Sequence, residues 1–174
     1  MKVVTPLDID PTINKTDIAV FLAGGISNCP DWQNDLISHI RVHFGSHEDL
    51  IIYNPRRPTY EDSVEIATQQ ITWERIHLHK SQIILFWFPC ETLCPITLFE
   101  YGYWLATLER TTKPRLVVGC HPDYKRKLDL EVQTKLTART TNGVLVSNWD
   151  GLMNDLLEQY SYEQSYIATY GKVD

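Results

Sequence analysis

The sequence lacks features that would assign it to several whole classes of protein. No apolar run approaches the roughly 20 residues of a membrane-spanning helix, and SQIILFWFPC from Ser81 to Cys90 stops well short. The N-terminal stretch, which contains Asp8, Asp10 and Asp17, does not have the pattern of a signal peptide. There is no excess of basic residues either, because the chain has 16 Lys and Arg and 22 Asp and Glu, which gives a formal net charge of −6. We therefore expect no membrane and no nucleic acid polymer among the partners.

Cysteine is scarce, and its spacing matches no metal site. Four cysteines without a secretion signal indicate reduced thiols and a cytoplasmic location. Cys90, Cys94, Cys120 and His121 lack a downstream C-x-x-C or H-x-x-x-H partner, so we expect no zinc site. Cys94 precedes a predicted helix, whose dipole would favour a nucleophilic thiolate, but an inert thiol is the better interpretation.

What the sequence does contain is the composition of one folded unit with alternating elements. With 174 residues, of which 43% are hydrophobic and 22% charged, the chain fits a single domain over residues 1–174. Strand-length apolar runs alternate with helical patterns, which predicts an α/β fold with a parallel sheet of about five strands. The predicted strands are Ile18 to Leu22, Leu50 to Tyr53, Ile83 to Phe88, Arg115 to Gly119 and Val144 to Val146. The predicted helices run from Asp31 to Phe44, from Asp62 or Ser63 to His79, from Pro95 to Leu108, from Lys125 to Lys135 and from Trp149 to Gln159.

One face of the second predicted helix combines apolar residues with a carboxylate. Burying a polar group without a partner costs about 1 to 3 kcal/mol, and burying a charge costs more. Glu74 therefore either faces a cavity or pairs with Arg75 or His77 at the helix edge. The face is expected to pack on the sheet and consists of residues spaced by three or four: Val64, Ala67, Ile71, Glu74 and Leu78.

A second carboxylate lies in a helix that has no other charge. PITLFEYGYWLATL, from Pro95 to Leu108, carries Glu100 as its only ionisable Asp, Glu, Lys, Arg or His, which predicts a helix buried nearly all round. Its first half follows the carboxyl end of the presumed central strand, where open α/β sheets bind ligands. We expect Glu100 to point into a site, with Gly102 allowing close approach. The alternative is a buried glutamate bonded to a hydroxyl such as that of Tyr103.

Two further segments follow strands at the same edge of the sheet. The turn from Ala23 to Gly25 would let a small ligand contact backbone amides, although its spacing is neither a dinucleotide fingerprint nor a P-loop. Asn54, Arg56 and Arg57 follow the second strand and would suit a hydroxyl or a phosphate. Surface salt bridges are the alternative interpretation of these arginines.

Four motifs together resemble one family. They are F-L-A-G-G-I-S, Y-N-P-R-R, Q-Q-I-T-W-E-R-I-H-L-H-K-S-Q-I-I-L-F-W-F-P and C-P-I-T-L-F-E-Y-G. They resemble the nucleoside 2-deoxyribosyltransferase-like proteins, whose superfamily also includes nucleoside 5′-monophosphate N-glycosidases. The similarity extends from about Ile18 to about Trp149. It implies a flavodoxin-like, Rossmann-type three-layer sandwich and a homo-oligomer with sites at subunit contacts.

The resemblance implies a reaction and roles for individual residues. An ionised Glu100 would attack C1′ of a 2′-deoxyribonucleoside, while a protonated Glu74 would protonate the departing base; transfer to a second base follows, without metal or cofactor. Substrates would be nucleosides or nucleotides and free nucleobases. An N-glycosidase that uses water, or a non-catalytic nucleotide-binding module, remains an alternative. Phe21, Trp73 and Trp87 are candidates for stacking on the base. The full set of expected substrate-binding residues is Phe21, Ala23, Gly24, Gly25, Asn54, Arg56, Trp73, Trp87 and Gly102.

Overall fold

The computed structural model describes residues 1–58, 63–137 and 145–172. Its strands are β1 (Lys2–Val4), β2 (Ile18–Gly24), β3 (Leu50–Tyr53), β4 (Ile83–Phe88) and β5 (Arg115–Cys120). Its helices are α1 (Trp32–Phe44), α2 (Val64–Lys80), α3 (Pro95–Leu108), α4 (Lys127–Leu136) and α5 (Trp149–Tyr170). All neighbouring strands are parallel, in the order β1-β3-β2-β4-β5. The connections from β2 and from β4 lead to opposite edges, so the topological switch point lies between these two strands.

The sheet is covered by helices on both faces, which explains its continuous apolar strands. Side chains alternate along β4, so that Ile84, Phe86 and Phe88 face α2, α3 and α4, whereas Leu85 and Trp87 face α1 and α5. Every residue of β4 is buried. These observations confirm the predicted α/β three-layer sandwich.

The edge strands differ from the prediction. β1 was not predicted, because three residues at the chain start give too little pattern to recognise, yet Lys2 to Val4 pair with Ile51 to Tyr53. The segment predicted as a last strand forms only an isolated bridge in the described residues. There, the Cys120 amide donates to the Val146 carbonyl and the Val146 amide to the Val118 carbonyl. Val144 lies outside the described residues.

Two helices begin at the predicted N-cap residues, and the last helix ends later than predicted. Asp31 accepts a hydrogen bond from the Asn34 amide at the start of α1, and Ser63 accepts one from the Ile66 amide at the start of α2. Asp62, the other predicted cap, lies outside the described residues. The last helix extends well beyond its predicted end at Gln159. Among the described residues, no helix is both long and apolar enough to cross a membrane.

The buried faces of α2 and α3 are narrower than predicted. Val64 and Ile71 are 79% and 64% exposed, whereas Leu78 is buried as predicted and α2 also turns Gln70 and His77 inward. Ring packing explains the rotation, because His77 stacks on Trp73 at 4.1 Å between centroids and meets Tyr53 edge to face at 4.4 Å. On α3, Ile96 and Phe99 are also exposed, so the expectation of burial all round was wrong. The list of exposed apolar residues on these helices is Val64, Ile71, Ile76, Ile96, Phe99 and Tyr103.

Candidate active site

A cavity of about 480 Å³ opens at the carboxyl ends of β2 and β4, at the switch point of the sheet. The end of β2 forms its floor, the segment after β3 and helix α2 form one wall, and the loop before α3 with the first turns of α3 forms the other. Glu74 and Glu100 both line it. The remaining lining residues are Phe21, Ala23, Gly24, Gly25, Ile26, Ser27, Pro55, Arg57, Gln70, Ile71, Thr92, Cys94, Pro95, Ile96 and Thr97.

Glu100 projects into the cavity without a compensating partner. No hydrogen bond or ion pair from the described residues reaches its carboxylate. Burial, together with the negative charge of nearby Glu74, raises the pKa of Glu100 to about 8. A partly buried carboxyl group without a hydrogen-bond partner lowers the stability of the fold. A strongly shifted pKa in a cleft, by contrast, is typical of functional sites.

Glu74 is also partly buried, but its carboxylate accepts a hydrogen bond. Burial raises its pKa, and two effects oppose that rise: a hydrogen bond of 2.7 Å from Gln70 Nε2 to Glu74 Oε1, and the positive charge of Arg57. Arg57 Nε in turn donates to Gln70 Oε1 at 2.6 Å. Glu74 is therefore the better stabilised of the two anions.

This asymmetry determines which carboxyl holds a proton in the ligand-free site. The negative charge of Glu74 raises the proton affinity of Glu100. Of the two carboxyls, Glu74 has a donor and a nearby cation among the described residues and Glu100 has neither, so these contacts favour Glu100 as the carboxyl that holds a proton. For the reaction itself, an ionised Glu100 and a protonated Glu74 stay a prediction.

The turn after β2 requires glycine for close approach. A Cβ at Gly24 would lie 2.3 Å from the Trp32 ring and 2.4 Å from the Trp87 carbonyl oxygen, and one at Gly25 would lie 2.9 Å from Cys94 Sγ. The Gly25 carbonyl accepts hydrogen bonds from Trp32 Nε1 at 2.7 Å and, at longer range, from Gln33 Nε2 at 3.4 Å. Its peptide group is thus held in one orientation at the cavity floor.

The two arginines after β3, Arg56 and Arg57, make different contacts. Arg56 is turned away from the cavity, and its Nε lies 3.1 Å from Asp31 Oδ1 and 2.9 Å from Gln33 Oε1. Arg56 also donates to the carbonyls of Pro30 and, weakly, Gly25, so it fastens the loop before α1. Arg57 lines the cavity itself.

Four other predicted binding residues do not line the cavity, namely Asn54, Trp73, Trp87 and Gly102. Asn54 is buried, and its Oδ1 accepts the Arg56 amide at 3.0 Å. Trp73 packs behind the floor, with its ring 6.0 Å from that of Phe21, and Phe21 alone of the three candidate aromatics borders the cavity. Trp87 lies on the opposite face of the sheet, 4.5 Å from the Trp149 ring, so it is not placed to stack on a base here.

Gly102 belongs to a different cavity. Its position on α3 faces away from Glu100, because helix residues that are two positions apart in sequence point about 200° apart around the axis. Together with Leu98, Leu105 and Leu130 it lines a hollow of about 400 Å³ between α3 and α4. A Cβ at Gly102 would meet no atom within 4 Å, so no close approach explains this glycine.

Gln70 is a polar lining residue that was not predicted from the sequence, although it donates a hydrogen bond to Glu74. A polar residue in an amphipathic helix gives no signal by itself. Its spacing of four from Glu74, which places both side chains on one helix face, is the signal that was available.

The cysteines near the cavity are not activated. Burial raises the pKa of Cys94 to about 12, so the group stays a thiol although it precedes α3. Its backbone has a φ of 49°, in the left-handed region, and its side chain does not cap the helix. In the described ranges, no group of three or more His, Cys, Asp or Glu is arranged to hold a metal ion.

Comparisons with known proteins identify a family but no individual relative. The sequence profile of a family described as nucleoside 2-deoxyribosyltransferase like matches residues 17–124. The matched segment begins just before β2 and ends after β5, and it contains every residue that lines the cavity. A search of curated proteins found no match.

Proposed function

Because the family match covers more than half of the chain, the protein belongs to the nucleoside 2-deoxyribosyltransferase-like family, and we propose that it transfers a 2′-deoxyribosyl group between nucleobases. The observation that carries this proposal is the pair Glu74 and Glu100, two mutually repelling carboxyls from different helices in one cavity. Paired carboxyls of this kind suit cleavage of a glycosidic bond, where one forms a bond to the sugar and the other handles the proton.

In the proposed reaction, Glu100 acts as the nucleophile and Glu74 as the acid and base. The Glu100 carboxylate attacks C1′, the bond from C1′ to the base nitrogen breaks, and the base takes its proton from Glu74. The sugar is then an ester of Glu100. An incoming base attacks C1′, gives up a proton to Glu74 and frees the Glu100 carboxylate, so two inversions retain the β configuration.

The shared proton must move before the first step. In the ligand-free site the contacts of the two carboxyls favour Glu100 as its holder. A sugar hydroxyl that donates a hydrogen bond to Glu100 would stabilise the carboxylate there and leave the proton to Glu74. The active form is the pair with one proton, whichever oxygen holds it.

A pH profile checks this requirement. We expect kcat/KM to fall above about pH 8, because the second deprotonation of the pair, at the pKa of about 8, removes the proton that the leaving base needs. Glu74→Gln should abolish this limb. A profile that stays flat well above that pH would contradict the shared-proton mechanism.

The reaction itself is tested with a donor and an acceptor. Thymidine or deoxyinosine is supplied with adenine, and products are separated chromatographically. Formation of deoxyadenosine supports transfer, release of free sugar indicates an N-glycosidase, and absence of turnover favours a non-catalytic binding module.

A fluorinated donor tests the covalent step. A 2′-fluorinated nucleoside destabilises the oxocarbenium-like transition state and should slow release of the intermediate. The intact mass should then rise by one fluorosugar, and peptide mapping should locate the addition at Glu100. A label on Glu74 or Cys94, or an α-configured product, would overturn the assignment.

A second candidate is hydrolysis of a nucleoside 5′-monophosphate, and Arg57 is the observation in its favour. Arg57 lines the cavity and uses Nε to bind Gln70. No hydrogen bond from the part of the chain that the structure describes engages its terminal nitrogens, which leaves them available to a phosphate. Comparing thymidine with its 5′-monophosphate as substrates, in the parent and in Arg57→Met, distinguishes the two. A preference for the monophosphate that the variant loses supports the second candidate.

The homo-oligomer that the family resemblance implies is also a proposal. Ile71 and Ile96 line the cavity and are largely exposed, and Phe99 on the next turn of α3 is 75% exposed. Apolar side chains grouped in this way are typical of surfaces that a partner covers. Light scattering on the purified protein gives its mass in solution, and a monomer would refute the proposal.

A further inference from the structure

We propose that Gln70 is a positioning residue that fixes which oxygen of Glu74 carries the proton for the leaving base. The inference rests on the proposed function, because it concerns the acid of that reaction. It assigns Gln70 a role through Glu74 and no direct contact with the reacting atoms.

The orientation of the Gln70 amide follows from the chemistry of its partners. Its Oε1 lies 2.6 Å from Arg57 Nε, a group that only donates. Its Nε2 lies 2.7 Å from the Pro55 carbonyl oxygen, a group that only accepts. Reversing the amide would oppose donor to donor and acceptor to acceptor. The amide nitrogen must therefore be the end that faces Glu74.

This orientation of the Gln70 amide makes the two carboxyl oxygens of Glu74 different from each other. The second hydrogen of the Gln70 amide is donated to Glu74 Oε1 at 2.7 Å, so Oε1 is an acceptor. In a neutral acid the carbonyl oxygen is the better acceptor, so this bond favours Oε1 as the carbonyl oxygen and Oε2 as the oxygen that carries the proton. The two oxygens of the acid are consequently not equivalent, and Oε2 is the favoured proton position.

The arrangement leaves Gln70 little freedom to reorient. The side chain is buried, its oxygen is engaged by Arg57, and both amide hydrogens are donated. Gln70 and Glu74 are four residues apart on one helix, so the backbone holds their side chains adjacent. Arg57 and Pro55 come from the segment after β3, which ties the acid to the sheet as well as to its own helix.

A titration that needs no substrate provides the first test. We would measure the carboxyl titration of Glu74 by carbon-13 NMR, assigned with Glu74→Gln. In Gln70→Leu the pKa of Glu74 should rise by about one unit, because the donor to its carboxylate is lost. Gln70→Glu keeps the side-chain length and the Arg57 contact, so it should fold if the leucine variant does not. It also lacks the amide donor, so the pKa of Glu74 should rise in this variant too. Gln69→Leu, exposed on the same helix, is the matched control.

A double-mutant cycle on turnover provides the second test. If Gln70 acts through Glu74, Gln70→Leu should lower kcat about tenfold or more for bases that leave poorly and less for bases that leave easily. In a Glu74→Gln background the same change should have little further effect. A purely structural role, through Pro55, would give equal losses in both backgrounds and for both classes of base.

The outcomes separate this inference from the proposed function. An unchanged Glu74 titration in both Gln70 variants, or additive losses in the cycle, would overturn the role of Gln70. A shifted titration in a protein that turns over no nucleoside would preserve the positioning of Glu74 and refute the proposed function instead.

Discussion

Glu163 is fully buried and Glu100 is partly buried, and the surroundings of the two carboxyls are opposite. Glu163 on α5 is fully buried near the amino end of β5, where Lys113 Nζ lies 3.0 Å and Arg115 Nε 3.1 Å from its carboxylate. Glu100, at the carboxyl end of the sheet, has a second carboxyl nearby and forms no ion pair within residues 1–58, 63–137 and 145–172. A buried charge that is paired on both oxygens contributes to holding elements together, whereas an unpaired one is retained for chemistry.

The largest expected effect is on turnover by Glu100→Gln. Loss of a covalent nucleophile normally costs several orders of magnitude, so we expect kcat to fall at least about 1,000-fold while the fold is retained. Steady-state kinetics and circular dichroism measure the two quantities. Glu109→Gln, exposed at the end of the same helix, is the control. Activity within about tenfold of the parent would remove Glu100 from the nucleophile role.

Glu163→Gln should show the opposite pattern. It leaves Lys113 and Arg115 without their counter-charge, although both are partly exposed and rest on the Tyr166 and Tyr162 rings. We expect a loss of about 2 to 4 kcal/mol in the free energy of unfolding, with kcat unchanged in the protein that remains folded. Chemical denaturation measures the loss. A stable but inactive variant would show that the two glutamates do not divide stability and chemistry as argued.

The stability of Glu100→Gln relative to the parent should depend on pH. The pKa of Glu100 is raised from 4.5 to about 8, so between these values the folded parent holds a proton that the unfolded chain releases. The free energy of unfolding of the parent therefore falls as pH rises through this range, and glutamine has no such dependence. The melting temperature of the variant minus that of the parent should be larger near pH 9 than near pH 5. An equal difference at both values would mean that Glu100 is not buried as a neutral acid.

Two glycines make a smaller and sharper contrast. An alanine Cβ at Gly25 would meet Cys94 Sγ at 2.9 Å and Pro89 and Thr92 at 3.0 Å, so the start of α3 must shift and turnover should fall about tenfold or more. Gly102→Ala meets nothing and should stabilise α3 by about 0.5 to 1 kcal/mol with unchanged kcat. Parallel melting and kinetic measurements check both. A loss of turnover in Gly102→Ala would support the original prediction that Gly102 belongs to the substrate site.

The fold was largely predictable because its signals are local. Continuous apolar runs such as Ile83 to Phe88 identify strands buried on both faces, and Asp31 and Ser63 cap helices at the expected positions. The bounds of α3 were predicted to the residue. β1 was missed because so short a strand at the edge is defined by its pairing with β3 and hardly by its own three residues.

The site was predictable in its acidic residues and much less in its surroundings. Glu74 and Glu100 stand out because carboxylates are rare among apolar neighbours. Trp87 was placed in the site because it is aromatic, but alternation along β4 sends it to the face opposite Phe86 and Phe88. The rotation of α2 depends on ring packing between Trp73, His77 and Tyr53, which no single-sequence pattern shows.

The fixed peptide group at Gly25 has a consequence for the cost of binding. Three donors, Trp32, Gln33 and Arg56, converge on its carbonyl, so this part of the floor is ordered before any ligand arrives. Ordering a free loop would consume about 1 to 2 kcal/mol of conformational entropy per residue on binding. At this floor most of that loss has already occurred during folding. The entropic penalty that remains there is then mainly the ligand's own.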